Sequence, residues 1–104
     1  MLYQFIEKES IHGYDINKDE LVVKMAENLM VLRNKLQLKQ LELADKVGIS
    51  RQILLEIEKK KCPMSWNTFI VLRTMFREDS GTSDLLNHFG ICSTELSKFL
   101  TSPE

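Results

Sequence analysis

Gln40 to Glu58 reads QLELADKVGISRQILLEIE, and this stretch decides the fold. Leu43, Ala44 and Val47 share one face of a helix at i, i+1, i+4 spacing. Gly48 follows, where the chain must reverse between packed helices, and glycine adopts positive φ without a Cβ penalty. Ser50 is an N-cap candidate, because its hydroxyl can accept an otherwise orphaned backbone N–H. Leu54 and Ile57 then recur at i, i+3 on a second helix. Two short helices joined by a tight, glycine-containing turn make a helix-turn-helix.

These residues resemble the Xre/Cro/C1-type helix-turn-helix family of prokaryotic and phage regulators. The family pattern runs L-x-x-L-R, then Q-x-x-L-A-x-x-x-G-[IV]-S-R-x-x-[LI]-x-x-[IL]-E, then a small N-capping residue that opens a fourth helix. The chain supplies Leu29 and Leu32-Arg33, then Gln40, Leu43-Ala44, Gly48-Ile49-Ser50-Arg51, Leu54 and Ile57-Glu58, then Ser65 and Thr68-Phe69. The match covers about Leu21 to Phe76, over half the chain, and several fixed spacings agree at once. The resemblance implies an all-α fold: a lambda-repressor-like five-helix DNA-binding domain over residues 17–79. A short N-terminal arm over 1–16 and a C-terminal helical tail over 80–104 complete the expected organisation.

In such a motif the second helix lies in the DNA major groove. With Leu54 and Ile57 turned inward, Arg51, Gln52, Leu55, Glu56 and Lys59 fall on the outer face. Arg51 can bond guanine O6 and N7 as a fork, and Gln52 can bond adenine N6 and N7. Glu56 can accept from cytosine N4, and Leu55 can meet a thymine methyl. The competing role for Glu56 is an intrahelical pair with Lys59 or Lys60.

The resemblance implies further roles along the backbone. Gln40 corresponds to the family's phosphate clamp, where the positive end of the helix dipole adds attraction. Ser50 is expected to combine its cap with a phosphate contact. Lys39 stands where the family usually has a Ser or Thr cap; the cap weakens, and a cation is added near the first phosphates. Lys59, Lys60 and Lys61 sit where the family's loop meets the backbone, so phosphate contacts are expected, against the alternative of a solvated charge run. Many relatives have Gly near Lys60 to end the recognition helix, a role lysine fills less easily. Asn67, near the start of the fourth helix, is a further phosphate candidate. Arg33 is expected to pair with Glu58 as a structural ion pair, because a buried charge is tolerable only when paired. The alternative is that Arg33 reaches a phosphate.

A net charge of −1 looks wrong for a nucleic-acid partner until it is divided along the chain. Residues 33–61 hold eight basic and four acidic side chains, a surplus of +4. Residues 1–20 sum to −3 and residues 78–104 to −4. Positive charge is thus concentrated on the expected reading unit, as phosphate contact requires.

The remaining segments frame that unit. Leu2, Tyr3, Phe5, Ile6 and Ile11 suggest a short strand or an irregular arm, with a disordered start as the alternative. Asn17 and Glu20 resemble a capping box opening a helix over 18–36, with Val22, Met25, Ala26, Leu29, Leu32 and Leu36 along one stripe. Leu41 is a surface leucine where the family prefers a polar residue. Ser65 caps a helix whose inner stripe is Phe69, Leu72, Met75 and Phe76, and Trp66 is expected to pack on its edge. After a polar break over 77–81, Ser83 is expected to cap a short helix and Ser93 another. Their apolar residues suggest a dimer seam, since palindromic operators need a two-fold protein; the alternative is that they fold back on the domain.

Other chemistry finds no support. At 43% hydrophobic and 28% charged, 104 residues suit one globular domain, and no run of eighteen apolar residues offers a membrane span. The start lacks the basic and apolar regions of a secretory signal. Cys62 and Cys92 lie far apart, so a zinc site or disulfide is not expected and a reducing cytoplasm is. No nucleophile elbow, P-loop or dinucleotide fingerprint occurs, so neither enzyme activity nor a cofactor or metal is expected. The expected function is sequence-specific binding of double-stranded DNA by a transcriptional regulator, a dimeric repressor. The alternatives are an antitoxin that holds a toxin partner, and a protein-interaction module that keeps the fold without DNA binding.

Overall fold

The computed structural model describes residues 10–11, 14–15, 17–91 and 94–101. Among these, six helices carry the fold: α1 Lys18–Lys35, α2 Gln40–Val47, α3 Arg51–Glu58, α4 Trp66–Arg77, α5 Ser80–His88 and α6 Thr94–Thr101. Two two-residue strands, β1 Ser10–Ile11 and β2 Tyr14–Asp15, pair antiparallel with Ser10 opposite Asp15 and Ile11 opposite Tyr14. The architecture is all-α, with this minimal ribbon ahead of α1. Residues 1–9, His12, Gly13 and Ile16 of the expected arm, and the expected Ser93 cap, lie outside the described residues.

Side-chain caps set where the helices begin. Asn17 accepts from Glu20 N at 3.1 Å, Ser50 from Ile53 N at 3.0 Å, and Ser65 from Thr68 N at 3.1 Å. Each satisfies a donor that the first helical turn cannot, worth about 1 kcal/mol. Lys39 has no acceptor to offer α2, and the helix compensates from inside. Glu42 Oε1 accepts from Lys39 N at 2.7 Å, placing a carboxylate at the positive end of the helix.

Left-handed residues set where helices end. Gly48, at φ +85°, closes α2 and sends Ile49 N back to Ala44 O at 3.1 Å. Lys60 does the same for α3 without being glycine: at φ +60°, its N–H reaches Ile57 O at 2.9 Å and Lys61 N reaches Glu56 O at 2.8 Å. Gln37, also at φ +60°, ends α1 in the same way. A Cβ in this region costs roughly 1–2 kcal/mol, which the two hydrogen bonds of each cap oppose.

The core is one cluster drawn from every helix. Met25, Leu29 and Leu32 of α1 meet Leu43 and Ala44 of α2, Leu54 and Ile57 of α3, and Phe69, Leu72 and Phe76 of α4. Leu86, Ile91 and Leu96 close it from the C-terminal side. Fully burying an aliphatic or aromatic side chain of this size stabilises by about 1.5–3 kcal/mol, so this cluster outweighs any single cap.

One expectation for the C-terminal region is corrected. Helix α5 starts at Ser80, earlier than a Ser83 cap would allow, because Asp79 Oδ2 accepts from Thr82 N at 3.0 Å. Thr82 is then fully buried and its hydroxyl donates to Phe76 O, so α5 is part of the core. The tail's apolar side chains pack against the same core. Leu86 and Leu96 are covered within the single chain, and Phe89, Phe99 and Leu100 are half-buried against the same cluster. Arg73, buried in α4, donates through Nη2 to Ser97 Oγ at 2.8 Å. Lys18 Nζ lies 5.1 Å from the Trp66 ring and 5.9 Å from the Phe99 ring, so α1, α4 and α6 meet at one edge.

Candidate nucleic-acid interface

Helix α3 has a fixed inner side and an open outer one. Leu54 and Ile57 are buried, and so is Glu58. Arg51, Gln52 and Ile53 are exposed, and Lys59, Lys60 and Lys61 continue the exposed surface beyond the helix end. Glu56 is half-buried, and so is Leu55, which helical spacing alone places fully outward. Lys39 and Asn67 are exposed at the starts of α2 and α4.

Beneath this surface sits a charged cluster. Arg33 Nε donates to Glu58 Oε2 at 2.7 Å, and Nη2 donates to Oε1 at 3.2 Å, a two-bond fork. The third arm, Nη1, donates to Leu38 O at 3.0 Å, satisfying a carbonyl in the α1–α2 connection. The Glu58 side chain is only 1% exposed, and that of Arg33 11%, so the pair is buried. It ties α1 to the end of α3 and commits the Arg33 guanidinium to Glu58 and Leu38.

Gln40 joins this cluster, which its expected role does not include. Its Nε2 donates to Glu58 Oε1 at 3.1 Å. The amide is therefore not wholly outward: one N–H serves the fold, and the second N–H and the oxygen remain for other partners. Ser50 is similarly divided, since its oxygen caps α3 while its hydroxyl hydrogen stays free to donate.

The outer face carries its own hydrogen bond. Gln52 Nε2 donates to Glu56 Oε2 at 3.1 Å, one turn along the helix. The intrahelical partner of Glu56 is thus Gln52 rather than the expected Lys59 or Lys60.

Trp66 packs as the sequence suggests, stacked on Phe69 with ring centroids 4.8 Å apart. Two surface features go beyond the sequence expectations. Val23, Met30, Val31 and Val71 are exposed apolar side chains alongside Leu41 and Ile53. A groove of about 330 Å³ runs between α1 and the α3–α4 connection, floored by Val22, Val23, Ala26 and Met64 and edged by Lys60 and Lys61. Sequence spacing marks faces on one helix, whereas this groove depends on how α1 meets the segment after α3. The Gln52–Glu56 pair, by contrast, is visible as i, i+4 spacing.

Among the described residues no group of three or more His, Cys, Asp or Glu could hold a metal ion. No described helix is long and apolar enough to cross a membrane. The chain matches no protein-family model, no curated protein and no solved structure.

Proposed function

We propose that this chain is a sequence-specific double-stranded DNA-binding protein, a transcriptional regulator of the Xre/Cro/C1 type with a lambda-repressor-like domain, acting as a dimeric repressor. The observation that carries the reading is the α2–Gly48–α3 unit: a Ser50-capped helix anchored by Leu54, Ile57 and Glu58, with Arg51 and Gln52 exposed on its far side. An anchored helix with polar side chains outward is what major-groove reading requires. Arg51 offers a fork to guanine, and Gln52 offers an amide to adenine. Lys39, Lys59, Lys60 and Lys61, with the Ser50 hydroxyl and the free half of the Gln40 amide, would hold the phosphates. Such contacts position the helix without reading sequence.

A repressor role fits such occupancy, since a protein seated in the major groove across a promoter would exclude polymerase from it. Two copies would read a palindrome with half-sites one helical turn apart. Leu86 and Leu96 are taken up by the chain's own core, so a two-fold contact would have to use other surfaces. A second reading, a protein-interaction module without DNA binding, is favoured by the exposure of Leu41 (55%) and Ile53 (40%) on the same unit.

Selection of bound sequences from a random duplex pool, at two salt concentrations, separates the two. The DNA reading predicts an enriched palindrome and affinity that falls steeply with salt. No enriched sequence at either salt would overturn it and favour the interaction module.

A further inference from the structure

Gln52 and Glu56 stand one helical turn apart on the exposed side of α3, with Gln52 Nε2 3.1 Å from Glu56 Oε2. A carboxylate can only accept a hydrogen bond, so the Gln52 amide must turn its nitrogen, not its oxygen, toward Glu56. The bond thus fixes which way round the amide sits. One N–H is taken by Glu56, and Gln52 is left with one acceptor, Oε1, and one N–H.

That remainder discriminates among bases. In the major groove adenine shows an N6 donor beside an N7 acceptor, which complements one acceptor plus one donor. Guanine shows two acceptors, O6 and N7, and would suit a glutamine free to present both of its N–H groups. Tying one N–H to Glu56 removes that option. Glu56 adds a second filter. Its other oxygen, Oε1, is an acceptor carrying negative charge. A base that shows only acceptors there, guanine or thymine, is repelled; one with an amino group, cytosine N4 or adenine N6, supplies the hydrogen bond.

We propose that Gln52 and Glu56 form one reading unit, in which Glu56 orients the Gln52 amide for adenine and itself demands an amino-bearing base, cytosine or adenine, at the adjoining position. This inference rests on the DNA-binding reading above and assigns its half-site chemistry. A surface pair that only stabilised the helix would leave base preference untouched when removed, which makes the two roles separable.

The test is the random-duplex selection, followed by titration of single-base duplex variants, on the full chain and on Glu56→Gln, Glu56→Ala and Gln52→Ala. Helical circular dichroism confirms that each variant is folded. The wild type should enrich adenine beside adenine or cytosine. Glu56→Gln keeps an oxygen to hold the Gln52 amide but loses the charge, so adenine preference persists while the adjoining position accepts guanine and thymine. Glu56→Ala frees the amide as well, and preference for adenine should fall about tenfold, within the range of one bidentate contact. Gln52→Ala should lose adenine preference and keep the adjoining one. An enriched wild-type motif that both Glu56 variants reproduce unchanged would overturn the proposal and leave the DNA-binding reading standing. A wild type that enriches nothing would overturn both.

Discussion

Replacing Arg33 by Met removes the cation from a carboxylate whose side chain is 1% exposed. Glu58 would lose both arms of the fork, at 2.7 and 3.2 Å, and Leu38 O would lose its donor at 3.0 Å. Removing one partner of a buried pair costs about 3–5 kcal/mol, because the charge left behind cannot be solvated. Gln40 still donates to Glu58 Oε1, which puts the expectation near the lower end, about 3 kcal/mol. For a domain of this size that is a large share of a total near 5–15 kcal/mol, and it lowers the melting temperature by about 12–25 °C. Urea unfolding followed by the fluorescence of Trp66 measures it directly. The cost should change little between low and high salt, since buried pairs are poorly screened. A loss below about 1 kcal/mol would refute the reasoning, for that is the worth of an exposed pair.

The double variant Arg33→Met with Glu58→Leu sharpens the point. Replacing both charges with apolar groups of similar volume is often neutral or stabilising. Here Gln40 and Leu38 O each lose a partner, at about 1 kcal/mol apiece, so the double variant should still cost about 2 kcal/mol and recover only part of the single loss. DNA affinity then separates structure from contact. If Arg33 touched a phosphate, the double variant would bind with a salt slope shallower by roughly 0.9. The buried fork predicts no change in slope.

Three further outcomes follow from the geometry. Lys60→Gly should raise stability by about 1 kcal/mol in denaturant unfolding, because glycine adopts the left-handed cap at φ +60° without Cβ strain. Replacing Lys59, Lys60 and Lys61 together by Ala should weaken binding to every duplex alike and flatten the salt dependence by roughly 0.9 for each phosphate no longer neutralised; unchanged slopes would mean that the run is solvated. Leu96→Ala should destabilise by about 2–5 kcal/mol although it lies outside the α2–α3 unit, because Leu96 is fully buried; a cost under about 1 kcal/mol would detach α6 from the core.

The chain is legible where local rules agree. Gln40 to Glu58 can be read to the residue, because spacing, the Gly48 turn and the Ser50 cap all point one way, and α2 and α3 fall where that stretch places them. The Arg33–Glu58 contact spans 25 positions, and only the family resemblance suggests it. The start of α5 is ambiguous in sequence because Asp79 and Ser83 are both good caps, and the choice between them rests on Thr82 burying itself beneath Phe76. The cover that α6 supplies is open in sequence for a similar reason. Leu96, Phe99 and Leu100 make an amphipathic stripe whether they face this core or another copy's, and periodicity does not name the partner.

Two glutamates on α3 use one chemistry for different ends. Glu58 holds the Gln40 amide at 3.1 Å, and Glu56 holds the Gln52 amide at 3.1 Å. In both cases an acceptor-only carboxylate fixes which way a glutamine faces. The difference is the surroundings. Glu58 is buried and also bound by Arg33, so its amide is held by the same contacts that hold the fold. Glu56 and Gln52 lie on the open face, where a neutral hydrogen-bond partner such as water competes and the bond orients without anchoring. Changes at Glu58 must therefore register first in stability and only secondarily in binding, whereas changes at Glu56 leave the core intact and act on what the helix presents. Residues two apart on one helix separate these functions because a 3.6-residue period turns them to nearly opposite sides.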